Sequence, residues 1–134
     1  MLHTTFRKLH KEGACAPSYL KLGKTLGGIR KYGKDTPIPL DKVLESNGLD
    51  DALWCLQCIN ESADREIYLL TCDYARRESP MSRDWAWANW DATWAAWIAA
   101  WDARDAAGAT GDAARAAERE WQTQRFIKLL QECG

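Results

Sequence analysis

Few side chains in this chain could carry covalent or metal chemistry, and they are poorly matched. Cys55 and Cys58 stand in a Cys-x-x-Cys spacing, which is half of a zinc site or a dithiol redox pair. Zinc wants two more ligands at matching spacing; Cys72 and His10 are present, but there is no second paired motif. Thioredoxin-like use needs a strand before the pair, and the flanking residues read as an apolar helix. The pair is therefore expected to be buried thiols, with no metal and no cofactor. "GKT" (23–25) resembles the end of a phosphate loop, but that pattern needs a glycine where Ser18 stands, and no strand precedes it. His3 and His10 lie seven apart without a nucleophile, base and orienter around them. Asp50-Asp51 suits the start of a helix, where acidic charge meets the dipole. An enzyme is not expected.

Charge is the stronger signal. The chain of 134 residues has 18 Lys+Arg against 19 Asp+Glu. Residues 1–34 nevertheless hold eight cations and one acid, a balance of +7, so the remainder totals −8. Such a split suits complementary faces of one fold or two different partners. Arg7, Lys8, Lys11, Arg30, Lys31, Tyr32 and Lys34 are the candidate partner-binding residues. In "GGIRKYGK" (27–34) a flexible basic loop also carries an aromatic, which suits phosphate contacts with base stacking. Against direct nucleic-acid binding stand a pI near 6.1 and the lack of a known reading motif. The same patch suits an acidic protein surface.

The elements that must position these groups read as helices, with strand signals nearly absent. Thr4 or Thr5 can cap a short helix bearing Phe6 and Leu9 and ended by Gly13. Pro17 suits a first helical turn, followed by Tyr19, Leu22 and Leu26 up to Gly27-Gly28. Residues 29–39 read as a loop. Pro39 or Asp41 opens a helix with Leu40, Val43 and Leu44, closed by Asn47-Gly48. Asp50 is expected to cap the next helix, and Ser62 another that runs to about Arg77 before Ser79-Pro80. Ser82 then starts a helix reaching about Ala107, "GATG" (108–111) connects, and a last helix spans about Asp112 to Glu132.

The segment "WAWANWDATWAAWIAAW" (85–101) holds six of eight tryptophans. Trp87, Trp90, Trp94, Trp97 and Trp101 are spaced 3, 4, 3, 4, the spacing of a heptad seam on one helix face. Five indoles would present on the order of 1,000 Å², more than a soluble monomer usually exposes. The expected cover is the protein's own core; a homo-oligomer seam and a groove for a foreign protein also fit. Ala88, Ala92, Ala95, Ala96, Ala99 and Ala103 line the other side, where another helix can approach closely. "AARAA" (113–117) of the last helix is the expected neighbour, with Trp121 and Phe126 closing the far end. Asp84, Asp91 and Asp105 sit beside the seam.

The expectation is an all-α, single-domain helical bundle. Its parts are basic N-terminal helices and loop (1–48), middle helices (49–80) and an Ala/Trp antiparallel helix hairpin (82–132), in a monomer or homodimer. The uncharged run Ala92–Trp101 is about ten residues, against the roughly 20 of a bilayer span. Five cysteines, an odd number, and the polar start "MLHTTFRKLHKEG" suggest a reducing cytoplasm.

Three stretches resemble small, mostly uncharacterised proteins encoded by bacteriophages and prophages. "TTFRKLHKEGACAPSYLKLGKTLGGIRKYGKDTPIPLDKVLESNGLDDALWCLQC" (4–58) is similar to their amino-terminal region and "DREIYLLTCDYARR" (64–77) to the following helix. "WDATWAAWIAAWDARDAAGATGDAARAAEREWQTQRFIKLL" (90–130) is similar to their Ala/Trp/Asp-rich tail. The tail here is shorter and richer in Trp, and the segment from Arg77 to Asp84 is brief. The resemblance implies a phage or prophage gene acting in the cytoplasm of a bacterial host. Small non-enzymatic phage proteins often bind host machinery, CRISPR effectors included. The resulting expectation is an anti-CRISPR-like inhibitor of a defence complex. A nucleic-acid-binding accessory protein and a nucleotide sponge, with an indole-lined pocket at an oligomer interface, are the alternatives.

Overall fold

A computed structural model describes residues 1–78 and 95–133. Trp87, Trp90 and Trp94, Asp84 and Asp91, Ala88 and Ala92, and the Ser82 helix start lie outside the described residues. The described chain is all-α apart from one two-residue strand pairing, and it divides into two compact units, 1–62 and 63–133. This boundary lies between those read from the sequence at 48 and 80.

In the first unit, Thr5 accepts the Lys8 N–H and starts α1 (Phe6–Lys11), burying Phe6 and Leu9. Pro17 sits in the first turn of α2 (Ala16–Thr25), where its missing N–H costs nothing. Gly23 of "GKT" lies inside this helix. A Cβ there would stand 2.6 Å from Ile29 Cγ1, so this glycine lets a neighbouring side chain approach.

The stretch 29–39, expected as loop, contains α3 (Ile29–Tyr32) and a strand. Strand β1 (His3–Thr4) pairs antiparallel with β2 (Ile38–Pro39), Thr4 opposite Ile38. Pro39 has no N–H to continue a ladder, and the chain turns directly into α4 (Leu40–Asn47). Two residues per strand are too few for alternation to be visible in the sequence. The buried Thr4 hydroxyl donates to Cys58 O at 2.7 Å.

α5 (Leu49–Trp54) follows after Gly48 alone. Gly48 is both the C-cap of α4 and the N-cap of α5, with φ +93° and ψ 179°, a conformation essentially confined to glycine. Asp50, expected as the cap, lies instead in the first turn of α5, because the glycine's sharp turn lets the helix begin two residues earlier. A 3-10 turn, Cys55–Cys58, completes the run. The core of this unit is Leu2, Phe6, Leu9, Leu22, Ile38, Leu40, Val43, Leu49, Leu53 and Leu56. Burying a side chain such as Phe6 contributes about 2–3 kcal/mol.

The second unit packs α6 (Asp64–Glu78), α7 (Ala95–Gly108) and α8 (Asp112–Glu132) together. α6 buries Ile67, Leu70, Tyr74 and Ala75 at helical spacing, and α7 buries Ala96, Ala99, Ala100 and Ala103. The alanine face thus packs on α6 as well as α8, two helices rather than one. "AARAA" is mostly exposed, and the buried stripe of α8 is Glu118, Gln122, Phe126, Leu129 and Leu130. Position 122, not the alanines, meets α7: Gln122 Nε2 donates to Ala100 O at 2.9 Å.

The two described members of the indole row stay together, ring centroids 5.8 Å apart, but not under cover. Trp97 is half-buried and Trp101 is 39% exposed. The Arg104 guanidinium lies 4.3 Å over the Trp101 ring. The helix can bury only one face tightly, and the small alanines take it.

Candidate functional site

The candidate partner-binding residues all lie in the first unit and divide by what their side chains do. Arg7 donates through Nε and Nη2 to the Asp35 carboxylate at 2.7 and 3.0 Å, and its backbone N–H reaches Lys34 O at 3.0 Å. The hydrogen bonds from Arg7 hold the Asp35 carboxyl below its ordinary range. Both side chains are largely in water, so their pairing positions the loop more than it stabilises it. Lys8 Nζ donates to Ile59 O at 3.2 Å. The Tyr32 hydroxyl donates to Pro37 O at 2.7 Å, and its ring meets Phe6 edge-on at 6.0 Å. Arg7 and Tyr32 thus knit the N-terminal helices to the loop, and Lys8 ties α1 to the residue after the 3-10 turn.

Lys11, Arg30, Lys31 and Lys34 are exposed. Among the described residues, none of the four has a side-chain hydrogen bond or a salt bridge. Arg30 and Lys31 stand on the single turn of α3, which ends at Gly33 (φ +100°). A Cβ at Gly33 would lie 2.6 Å from Thr36 Oγ1, whose hydroxyl caps Tyr32 O. The turn is thereby fixed while its two cations project into solvent. Such a display offers strong donors to carboxylates or phosphates and no acid–base chemistry of its own.

Cys55 and Cys58 are buried on the 3-10 turn, and the Cys58 thiol donates to Cys55 O at 3.4 Å. The hydrogen bond with Cys58, followed by burial, pushes the Cys55 thiol up. The same contact with Cys55 pulls the Cys58 thiol the other way, down, and among the described residues no three His, Cys, Asp or Glu gather as a metal site. His3 Nδ1 lies 2.9 Å from Glu61 Oε2, and the Glu61 carboxylate also accepts the His3 N–H at 2.6 Å. This base–carboxylate pair was not anticipated from the spacing of the two histidines, since its partner is 58 residues away.

Sequence reasoning also missed a polar network in the second unit. Glu118 is 6% exposed and accepts from Arg77 at 2.9 and 3.1 Å and from Gln122 at 3.2 Å. The buried Tyr74 hydroxyl donates to Gln122 O at 2.7 Å. Arg125 Nε donates to Asp73 Oδ2 at 2.6 Å. The signal was available: Glu118 and Gln122 lie in helical register with Phe126, Leu129 and Leu130, polar residues on an apolar stripe.

Among the described residues no helix is long and apolar enough to cross a membrane. Comparisons of the chain with protein-family models, with curated proteins and with solved structures return no match.

Proposed function

We propose that this is a non-catalytic binding protein of phage or prophage origin that inhibits a bacterial defence complex by protein–protein contact in the host cytoplasm. The observation that supports this reading is the group of four exposed cations, Lys11, Arg30, Lys31 and Lys34, without ion pairs among the described residues. Unpaired surface cations steer and orient an acidic partner. Tyr32 argues for a protein surface over a nucleic acid. Its hydroxyl and ring are committed to Pro37 and Phe6, so the aromatic of the basic loop is not a free stacking platform.

The test is plating of a defence-sensitive phage on cells that carry one defence system each and express either the wild type or the Arg30→Glu/Lys31→Glu variant. The expected result is rescue by the wild type against one system and loss of rescue by the variant, with unchanged expression. Rescue against no system would overturn the proposal. Binding to random-sequence DNA that weakens steeply with salt would replace it by the nucleic-acid reading. Light scattering over a dilution series decides between monomer and homodimer.

A further inference from the structure

Two cysteines share one turn of the first unit and have no part in the basic surface. Cys55 and Cys58 are the first and last residues of the 3-10 turn that follows α5. Side chains at i and i+3 of such a turn eclipse one another, and a rise of about 2.0 Å per residue sets their Cα atoms about 6 Å apart. A disulfide spans Cα separations of about 4.4–6.8 Å. The contacts bring the sulfurs together as well. The Cys58 thiol points back along the turn to donate to Cys55 O at 3.4 Å, and the two thiols are hydrogen-bonded to one another.

Their surroundings make the two sulfurs unequal. Thr4 Oγ1 donates to Cys58 Sγ at 3.6 Å, and Lys8 Nζ reaches the next residue, 3.2 Å from Ile59 O. The contact with Cys55 draws the Cys58 thiol down against burial, with Thr4 and Lys8 assisting and Glu12 opposing. Cys55 is kept protonated by the contact with Cys58 and then by burial. Cys58 is thus the better nucleophile, and Cys55 stands beside it to resolve what it forms. Cys72 is the contrast: it is similarly buried, but it is the only cysteine of its helix.

Access selects the oxidant. Cys55 is 3% exposed and Cys58 5%, which excludes a bulky disulfide and leaves an oxidant little larger than water. The chain runs out to solvent directly after Cys58, through half-buried Ile59 to exposed Asn60.

We propose that Cys55 and Cys58 are a reversible oxidation site, at which hydrogen peroxide converts the two stacked thiols to a disulfide within the 3-10 turn and a thiol reductant restores them. The Cys58 sulfur attacks one peroxide oxygen as a thiolate. The O–O bond breaks, and the departing hydroxide takes up the thiol proton as water. The Cys55 sulfur then attacks the Cys58 sulfenic acid, the S–O bond breaks, and a second water leaves with the Cys55 proton. Two thiols lose two electrons and one peroxide becomes two waters. The site does not depend on the Arg30/Lys31 surface.

The test treats the reduced full chain with a small excess of hydrogen peroxide in native buffer, alkylates the remaining thiols and maps the peptides by mass spectrometry. A Cys55–Cys58 linkage, read as the loss of two hydrogens in the peptide that carries both, should form at least about tenfold faster than any oxidation of Cys72. Dithiothreitol should return both thiols. Cys55→Ser should stop the reaction at a Cys58 sulfenic acid that dimedone traps, whereas Cys58→Ser should lose oxidation at Cys55, with circular dichroism confirming that both variants fold. Arg30→Glu/Lys31→Glu should leave the linkage unchanged, so this result and the phage-plating result stand or fall separately. The inference is overturned if both thiols emerge free from the native chain, if the linkage forms only once denaturant is added, or if Cys72 oxidises as fast. Oxidation of Cys55 that persists in Cys58→Ser overturns it as well. The wild-type map decides by itself should a serine variant not fold.

Discussion

Tyr74 shows how a single buried polar group ties two helices together. The ring is fully buried between α6 and α8, edge-on to Trp121 at 6.1 Å, and its hydroxyl reaches Gln122 O. Tyr74→Phe keeps the packing and removes the bond, so it should destabilise the second unit by about 1 kcal/mol, read from chemical denaturation. Burial also pushes the phenol pKa well up, outweighing the opposing pull of Arg125 and Arg104. The sign follows from proton binding. Above a pH of about 10 an unfolded tyrosine loses its proton while the folded one keeps it, so the folded state binds more protons and stability falls as pH rises. The wild type should lose stability above that pH more steeply than Tyr74→Phe, and parallel curves would refute the assignment. At this scale the sequence was only partly legible. The thiols at 55, 58 and 72 are buried as read, but Cys15 is exposed. The Tyr74–Gln122 bond joins residues 48 apart, a separation that no local spacing reports.

Helix α7 separates what periodicity reveals from what it leaves open. Alternating 3 and 4 spacing put the indoles on one face and the alanines on another, and Trp97 and Trp101 do share a face. Periodicity identifies faces but not which one is inside. Large apolar area favoured the indoles; close helix approach favoured the alanines, and in the described part of the helix close approach wins. Ala100 makes the difference measurable, being fully buried with its carbonyl accepting from Gln122. Ala100→Leu forces added volume between three helices and should cost about 2 kcal/mol, while Trp101→Ala, at a position 39% exposed, should cost clearly less in the same denaturation experiment. The reverse order would place the indoles in the core after all. At Gly48 the turn was legible as a helix stop but not as a shared cap, because a one-residue link between helices demands a backbone conformation that residue type only permits. Gly48→Ala should therefore destabilise the first unit by about 1–2 kcal/mol, more than an exposed glycine replacement in an ordinary loop.

For the whole molecule, the all-α character was legible because helical apolar spacing recurs from α1 to α8. The division after Ser62 was not, because "NESA" (60–63) differs little from the turns between other helices. Charge marked a different border. The sequence asymmetry breaks at residue 34, whereas the first unit runs on through Asp35, Asp41, Glu45, Asp50, Asp51 and Glu61 and so carries nine cations against seven acids. Its basic character is a matter of placement, with Arg7 answered by Asp35 and Arg30 and Lys31 left outward. The unit also closes its own backbone: Leu40 N donates to Leu2 O at 2.9 Å and Asn60 N to His3 O at 2.7 Å, bringing both of its ends to one strand pair. With that closure and a core running from Leu2 to Leu56, residues 1–62 expressed alone should fold. At about 60 residues a domain buries only about 60% of its unfolded surface and is correspondingly marginal, so the expected signature is a helical spectrum with a cooperative melt of low midpoint. Gly48→Ala in the same fragment should lower that midpoint further, since both helices it joins belong to this unit. A fragment with no cooperative transition would show that its core needs the remainder of the chain, and the two-unit division would then describe contacts without describing folding.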